Sequence, residues 1–141
     1  SQRVVDPNEY YGKSLIIVDT SGNNVTESII RNPEYLLIIN SYDLTKADLS
    51  AFAKLNDFAA KAYEDNISTA VLVSSQPSEI ASFANQNKLK LDFYTADDIV
   101  LKTIVRSNPG LLLMKDGVIL QKWHGNDIPD YPDFRESLKM K

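Results

Sequence analysis

The stretch SNPGLLLMKDGVIL (residues 107–120) runs an Asn-Pro-Gly lead into four apolar residues, a Lys-Asp-Gly turn and a second apolar run. Proline has no amide to donate to a sheet ladder, so a buried strand does not open this way without a structural reason. Asp-Gly between two apolar runs is the chemistry of a tight hairpin, because both residues tolerate the positive φ angles that such a turn requires. Strands over 111–115 and 118–123, joined at Asp116-Gly117, are therefore expected. They form an antiparallel pair near the C-terminus.

Upstream of this hairpin the pattern alternates. SLIIVDT (14–20) reads as a strand, SGNN (21–24) as a turn, and YLLIIN (35–40) as a strand apolar on both faces. SYDLTKA (41–47) is a loop, followed by a helix through ADLSAFAKLNDFAAKAYEDN with an apolar stripe at Leu49, Phe52, Ala53, Ala59, Ala62 and Tyr63, Leu55 lying off it. STAVLVSS (68–75) is a second buried strand, and Pro77-Ser78-Glu79 opens a helix bearing Ile80, Phe83 and Ala84 on one side. LKLDFYTAD mixes strand and loop character, and 97–106 reads as a short helix. After the hairpin, Pro129 and Pro132 punctuate a loop before a terminal helix at 134–140. Strands alternating with helices imply a parallel portion with right-handed crossovers, to which the hairpin adds an antiparallel pair. The expected fold class is α/β, a mixed sheet with helices on both faces. Residues 1–13 read as an irregular lead-in and 14–141 as one domain.

Composition narrows the function. The 141 residues carry a net charge of −4 and show no concentrated basic face, which argues against nucleic acid as a partner. There is no cysteine, hence no disulfide, no thiolate ligand and no redox nucleophile. No apolar run is long enough to span a bilayer. The stretch SQRVVDPNEYYGK carries no signal-type apolar segment, so a membrane tether is expected only outside these residues.

The element order, with a proline opening the first strand of the last hairpin, resembles the thioredoxin-like fold, a three-layer sandwich. Asn108-Pro109 resembles that family's Thr-Pro, and GLLLMKDGVILQKWHG its strand, Asp-Gly, strand, Gly ending. The resemblance implies a cis Asn108-Pro109 bond beside the active-site loop. SLIIVDTSGNNVTESIIRNPEYLLIIN resembles the extra N-terminal β-hairpin of the periplasmic, membrane-tethered thioredoxin- and peroxiredoxin-like branch, and VLVSSQPSEIASFANQNKL that branch's strand, Ser-rich loop and helix. A narrower resemblance is to the soluble domain that follows a DoxX-type four-helix membrane region in some bacterial envelope proteins. It implies a periplasm-facing place in the cell envelope.

The departure from the family matters as much. Redox-active relatives carry Cys-x-x-Cys where the central strand runs through its loop into the long helix, a window that falls near Lys46-Ala47-Asp48-Leu49, give or take a residue or two. No side chain there can cycle through a disulfide, so thiol–disulfide exchange by this chain is excluded. The expectation is a non-catalytic interaction or structural module, with a protein or an extended peptide as partner and no cofactor. The candidate binding residues are Tyr42, Thr45, Lys46 and Asp48 in the 41–49 loop, with Ser107, Asn108 and Pro109. Helix amides there are expected to attract a carboxylate or carbonyl, the Ser107-Asn108 backbone to pair with an extended peptide, and Tyr42 to form an apolar wall. The alternative is an enzyme of a non-thiol class using the helix start with Asn108 and His124.

Other clusters carry less. His124, the only histidine, has no G-x-S-x-G elbow to serve as a general base. Asp127, Asp130 and Asp133 lack the spacing of a calcium loop, and one His without Cys makes no zinc site. Trp123, Tyr131 and Phe134 are expected to close a small core rather than to form a recognition patch.

Overall fold

The computed structural model describes residues 3–4 and 15–139. Among the described residues six strands and five helices follow one another as β1 (Arg3–Val4), α1 (Thr26–Ile30), β2 (Tyr35–Ser41), α2 (Leu49–Glu64), β3 (Ser68–Val73), α3 (Pro77–Gln86), β4 (Asp92–Thr95), α4 (Asp98–Ile104), β5 (Gly110–Lys115), β6 (Val118–His124) and α5 (Tyr131–Lys139), with a 3-10 turn at Leu44–Lys46. The sheet order is β1-β6-β5-β2-β3-β4. β2, β3 and β4 run parallel, whereas β5 lies antiparallel against β2 and pairs with β6 in the hairpin.

The continuous apolar runs follow from burial on both faces of the sheet. Leu37 and Ile39 of β2 join Val71, Val73, Leu111 and Leu113 beneath α2, α3 and α5. Leu36 and Ile38 point the other way, with Leu72, Leu112 and Met114, under α1 and α4. Alternate residues of one strand thus feed two separate cores, and no position in the run can be polar without cost. Trp123, Tyr131 and Phe134 do close the first core, Tyr131 and Phe134 each 5.1 Å from the Phe58 ring centre.

The hairpin turns at Asp116 (φ 49°) and Gly117 (φ 79°), the positive-φ pair that Asp-Gly supports. Gly110 opens β5 directly after Pro109, and the Asn108–Pro109 peptide is cis.

Four expectations need correction. The described part of the expected N-terminal hairpin, from residue 15 on, forms no regular ladder: Val18 makes only single bridges, to Asn24 and to Thr95 of β4. The Thr26 hydroxyl accepts the Ile17 amide at 2.8 Å, and the Asp19 carboxylate gathers the amides of Ser21 and Asn23, so side chains replace the ladder and VTESII turns helical. The lead-in contributes a two-residue strand, Arg3–Val4, on the outer edge of β6; the rest of 1–13 lies outside the described residues. On α2 the stripe is Ala51, Phe52, Leu55, Phe58, Ala59 and Ala62, with Leu55 fully buried and Leu49 and Tyr63 exposed at 53% and 78%. Finally, α5 begins at Tyr131 with Pro132 inside its first turn, where the missing amide has no helical partner to lose.

Candidate functional site

The C-terminal end of β2 delivers the chain into the 41–49 loop, and the cis peptide lies across from it. Asn108 ties the two together. Its side-chain oxygen accepts from the hydroxyl of buried Ser41, and its side-chain nitrogen donates to the Asp43 carbonyl at 2.7 Å. Its own carbonyl accepts the Asp48 amide at 3.0 Å. Ser107 is buried as well, its hydroxyl donating to the Pro109 carbonyl and accepting the Gly125 amide at 2.7 Å. Gly125 cannot be larger, since a Cβ there would sit 2.6 Å from the Pro109 carbonyl oxygen.

Asp48 is the N-cap of α2. One carboxylate oxygen accepts from the amides of Ser50 at 3.0 Å and Ala51 at 3.1 Å and from the Ser50 hydroxyl at 2.8 Å. The Ser50 hydroxyl and the Ala51 amide hold its carboxyl below the usual carboxylate range. Asp43 repeats the device with Thr45, whose hydroxyl is the main cause of its lowered pKa, helped by the charges of Lys46 and Lys102. The helix start expected to attract an external anion is thus already served by Asp48.

The candidate residues therefore separate. Thr45, Lys46 and Asp48 are exposed, Tyr42 and Asn108 half-buried, Ser107 and Pro109 buried. Tyr42 does not wall the loop; it packs on the α4 side of the sheet, with the Lys102 ammonium 5.0 Å from its ring centre. The Asn108 carbonyl, expected to pair with a peptide, is engaged internally. His124 is exposed and accepts the Asn126 amide at 3.2 Å, a local turn contact; among the described residues no hydrogen bond joins its side chain to Asn108 or to the start of α2. No group of three or more His, Asp or Glu side chains converges among the described residues as a metal site would require.

An open groove adjoins the loop on its other side. It has a volume of about 560 Å³ and lies between Leu44, Thr45, Ala47 and Leu49 on one wall and the Ser78, Glu79, Ser82, Phe83 face of α3 on the other. That size falls within the ~300–1,000 Å³ usual for ligand clefts. Phe83 stacks edge-on against Phe52 at 5.1 Å, which fixes the groove floor to the core. The α3 wall was not singled out from sequence. Its signal was available: Ser75, Ser78, Ser82 and Gln86 recur at helical spacing opposite the buried Ile80.

Scanning against protein-family models finds no match, and neither does a search of the curated proteins. Solved structures do match. BsSco, a member of the Sco family of cytochrome c oxidase assembly proteins, superimposes with a TM-score of 0.65 at 18% identity over 97% of this chain and 96% of that one. A thioredoxin-like protein from Aeropyrum pernix gives 0.64 at 11% identity, over 89% and 88%. A secreted Mycobacterium tuberculosis disulfide oxidoreductase homologous to E. coli DsbE gives 0.62 at 9% identity, over 89% and 95%. The fold is thioredoxin-like. In this thioredoxin-like chain the window in which the resemblance places Cys-x-x-Cys reads Lys-Ala-Asp-Leu, and the carboxylate of Asp48 stands on the helix start.

Proposed function

We propose that this chain is a non-catalytic, cysteine-free thioredoxin-like domain that acts as an interaction module of a larger bacterial envelope protein on its periplasm-facing side, with any membrane tether outside these residues. Its ligand is an extended peptide from a protein partner, lying along the groove between the 44–49 segment and α3. The observation that carries the reading is Leu49. A leucine in the first turn of α2, 53% exposed beside an open groove, adds nothing to the core and is available to a partner. The loop behind it is held rigid by Asn108, Asp43 and Asp48, so binding does not have to order it first. Candidate residues Thr45, Lys46 and Asp48 stay at the rim of this surface. Tyr42, Ser107, Asn108 and Pro109 serve as its support.

The test is amide-shift mapping on the labelled domain titrated with blocked peptides. Shifts at Thr45, Leu49, Ser78, Ser82 and Phe83, abolished by Leu49→Asp, are expected. Shifts confined to the Trp123–Tyr131 side would show that the wrong face has been named.

A further inference from the structure

Resting on that reading, we infer that the groove selects a segment in which an aliphatic side chain is flanked by lysine or arginine. Among the described residues one acidic side chain lines it and no cation does. That residue is Glu79. One of its oxygens accepts the Gln76 amide at 2.9 Å as part of the helix cap, and among the described residues its other oxygen has no hydrogen bond. Asp48 adjoins lining residues Ala47 and Leu49 just as Lys46 adjoins Thr45 and Ala47, and neither lines the groove, so neither charge is counted. At the far end Gln86 and Asn87 line the groove, where the last carbonyls of α3 are capped by the Asn87, Lys88 and Leu89 amides and so add no free negative charge. Lys46 belongs to the loop but does not line the groove, and Lys88 lines the opposite side of α3. The apolar contribution comes from Leu44, Leu49 and Phe83, which receive one aliphatic side chain while hydroxyls of Ser78 and Ser82 meet its backbone.

The experiment uses three pools of blocked peptides with randomised flanks and fixed centres Lys-Leu-Lys, Gln-Leu-Gln and Glu-Leu-Glu, titrated against the whole chain by fluorescence anisotropy and amide shifts. The Lys-Leu-Lys pool is expected to bind about fivefold tighter than Gln-Leu-Gln, the scale of one exposed ion pair. Glu-Leu-Glu should bind weakest, and raising the salt should shrink the differences. Glu79→Gln keeps an acceptor for the Gln76 amide, so the helix cap survives while the preference for lysine falls. Leu49→Ser should weaken all three pools alike. Equal binding of the lysine and glutamine pools would overturn this inference and leave the groove reading intact. Absence of groove shifts with every pool would overturn both. A lysine preference unchanged in Glu79→Gln and at high salt would also overturn it, because the selection would then not be electrostatic.

Discussion

Asn108 contributes more as an amide side chain than as a neighbour of proline. It satisfies the Ser41 hydroxyl, which is buried at 0% exposure, and it anchors the Asp43 carbonyl. Asn108→Ala strands that hydroxyl, and a buried unsatisfied polar group costs about 1–3 kcal/mol. The urea midpoint should fall accordingly with an unchanged slope; a change of under a few tenths of a kcal/mol would mean that the link is replaceable by water. Asp48 makes a prediction with a sign. Its folded pKa is lowered, so its contribution is present above the unfolded carboxylate value of about 3.9 and is lost as pH falls through the lower folded value. Asp48→Asn keeps a capping oxygen but removes the charge. The gap in thermal midpoint between wild type and variant should be constant near neutrality and close below about pH 3.9. A gap that persists at pH 2 would assign the effect to shape rather than to charge.

At the scale of elements, the polar ties of α5 to the end of α2 converge on Asp65, the C-cap of α2. The Tyr131 hydroxyl donates to the Asp65 carboxylate at 2.6 Å, and Arg135 reaches the same oxygen at 3.2 Å. Burial first, then the bond to Asp65, raises the Tyr131 pKa above the ordinary tyrosine value. A raised folded pKa means that this stabilisation is complete below about pH 10 and is lost as pH rises beyond it. Tyr131→Phe keeps the ring against Phe58 and Phe134 and removes only the hydroxyl, which should cost about 1–2 kcal/mol at neutral pH. Hydrogen exchange should quicken in α5 before it does in the sheet. In a 295-nm titration the slowest tyrosine to ionise should vanish in this variant; retention of that phase would reassign it.

For the whole molecule, the sheet separates two cores, and no covalent link crosses either of them. A chain without cysteine should show the same unfolding curve with and without dithiothreitol, and no dithiol-dependent insulin reduction. Turnover above buffer would contradict the non-thiol reading outright. The same architecture decides which part of the loop surface is left open. In a thioredoxin-like frame the cis-proline loop and the long helix meet at one edge, and here Asn108, Asp48 and Ser107 spend their polar groups on one another. What stays open at that edge is the flank towards α3.

Local patterns were enough for β2, β3, the β5–β6 hairpin and most of the helices. Unbroken apolar runs such as 35–40 can be satisfied only between two helical layers, and Asp116-Gly117 specifies its own turn. Missing cysteine settled the absence of thiol chemistry without any coordinates. The strand expected over SLIIVDT gives way, within the described residues, to side-chain bonds from Thr26 and Asp19, which periodicity does not register. The expected stripe put Leu49 on the buried face and Leu55 off it, and the way α2 sits on the sheet reverses the two. The candidate loop could be located by counting from the central strand. Whether its amides and carbonyls were free could not, because their partners come from 41, 43, 48 and 107–109, which meet only after folding. The groove depends on the tertiary structure for the same reason: its walls come from separate segments, held together where Phe83 meets Phe52 edge to face.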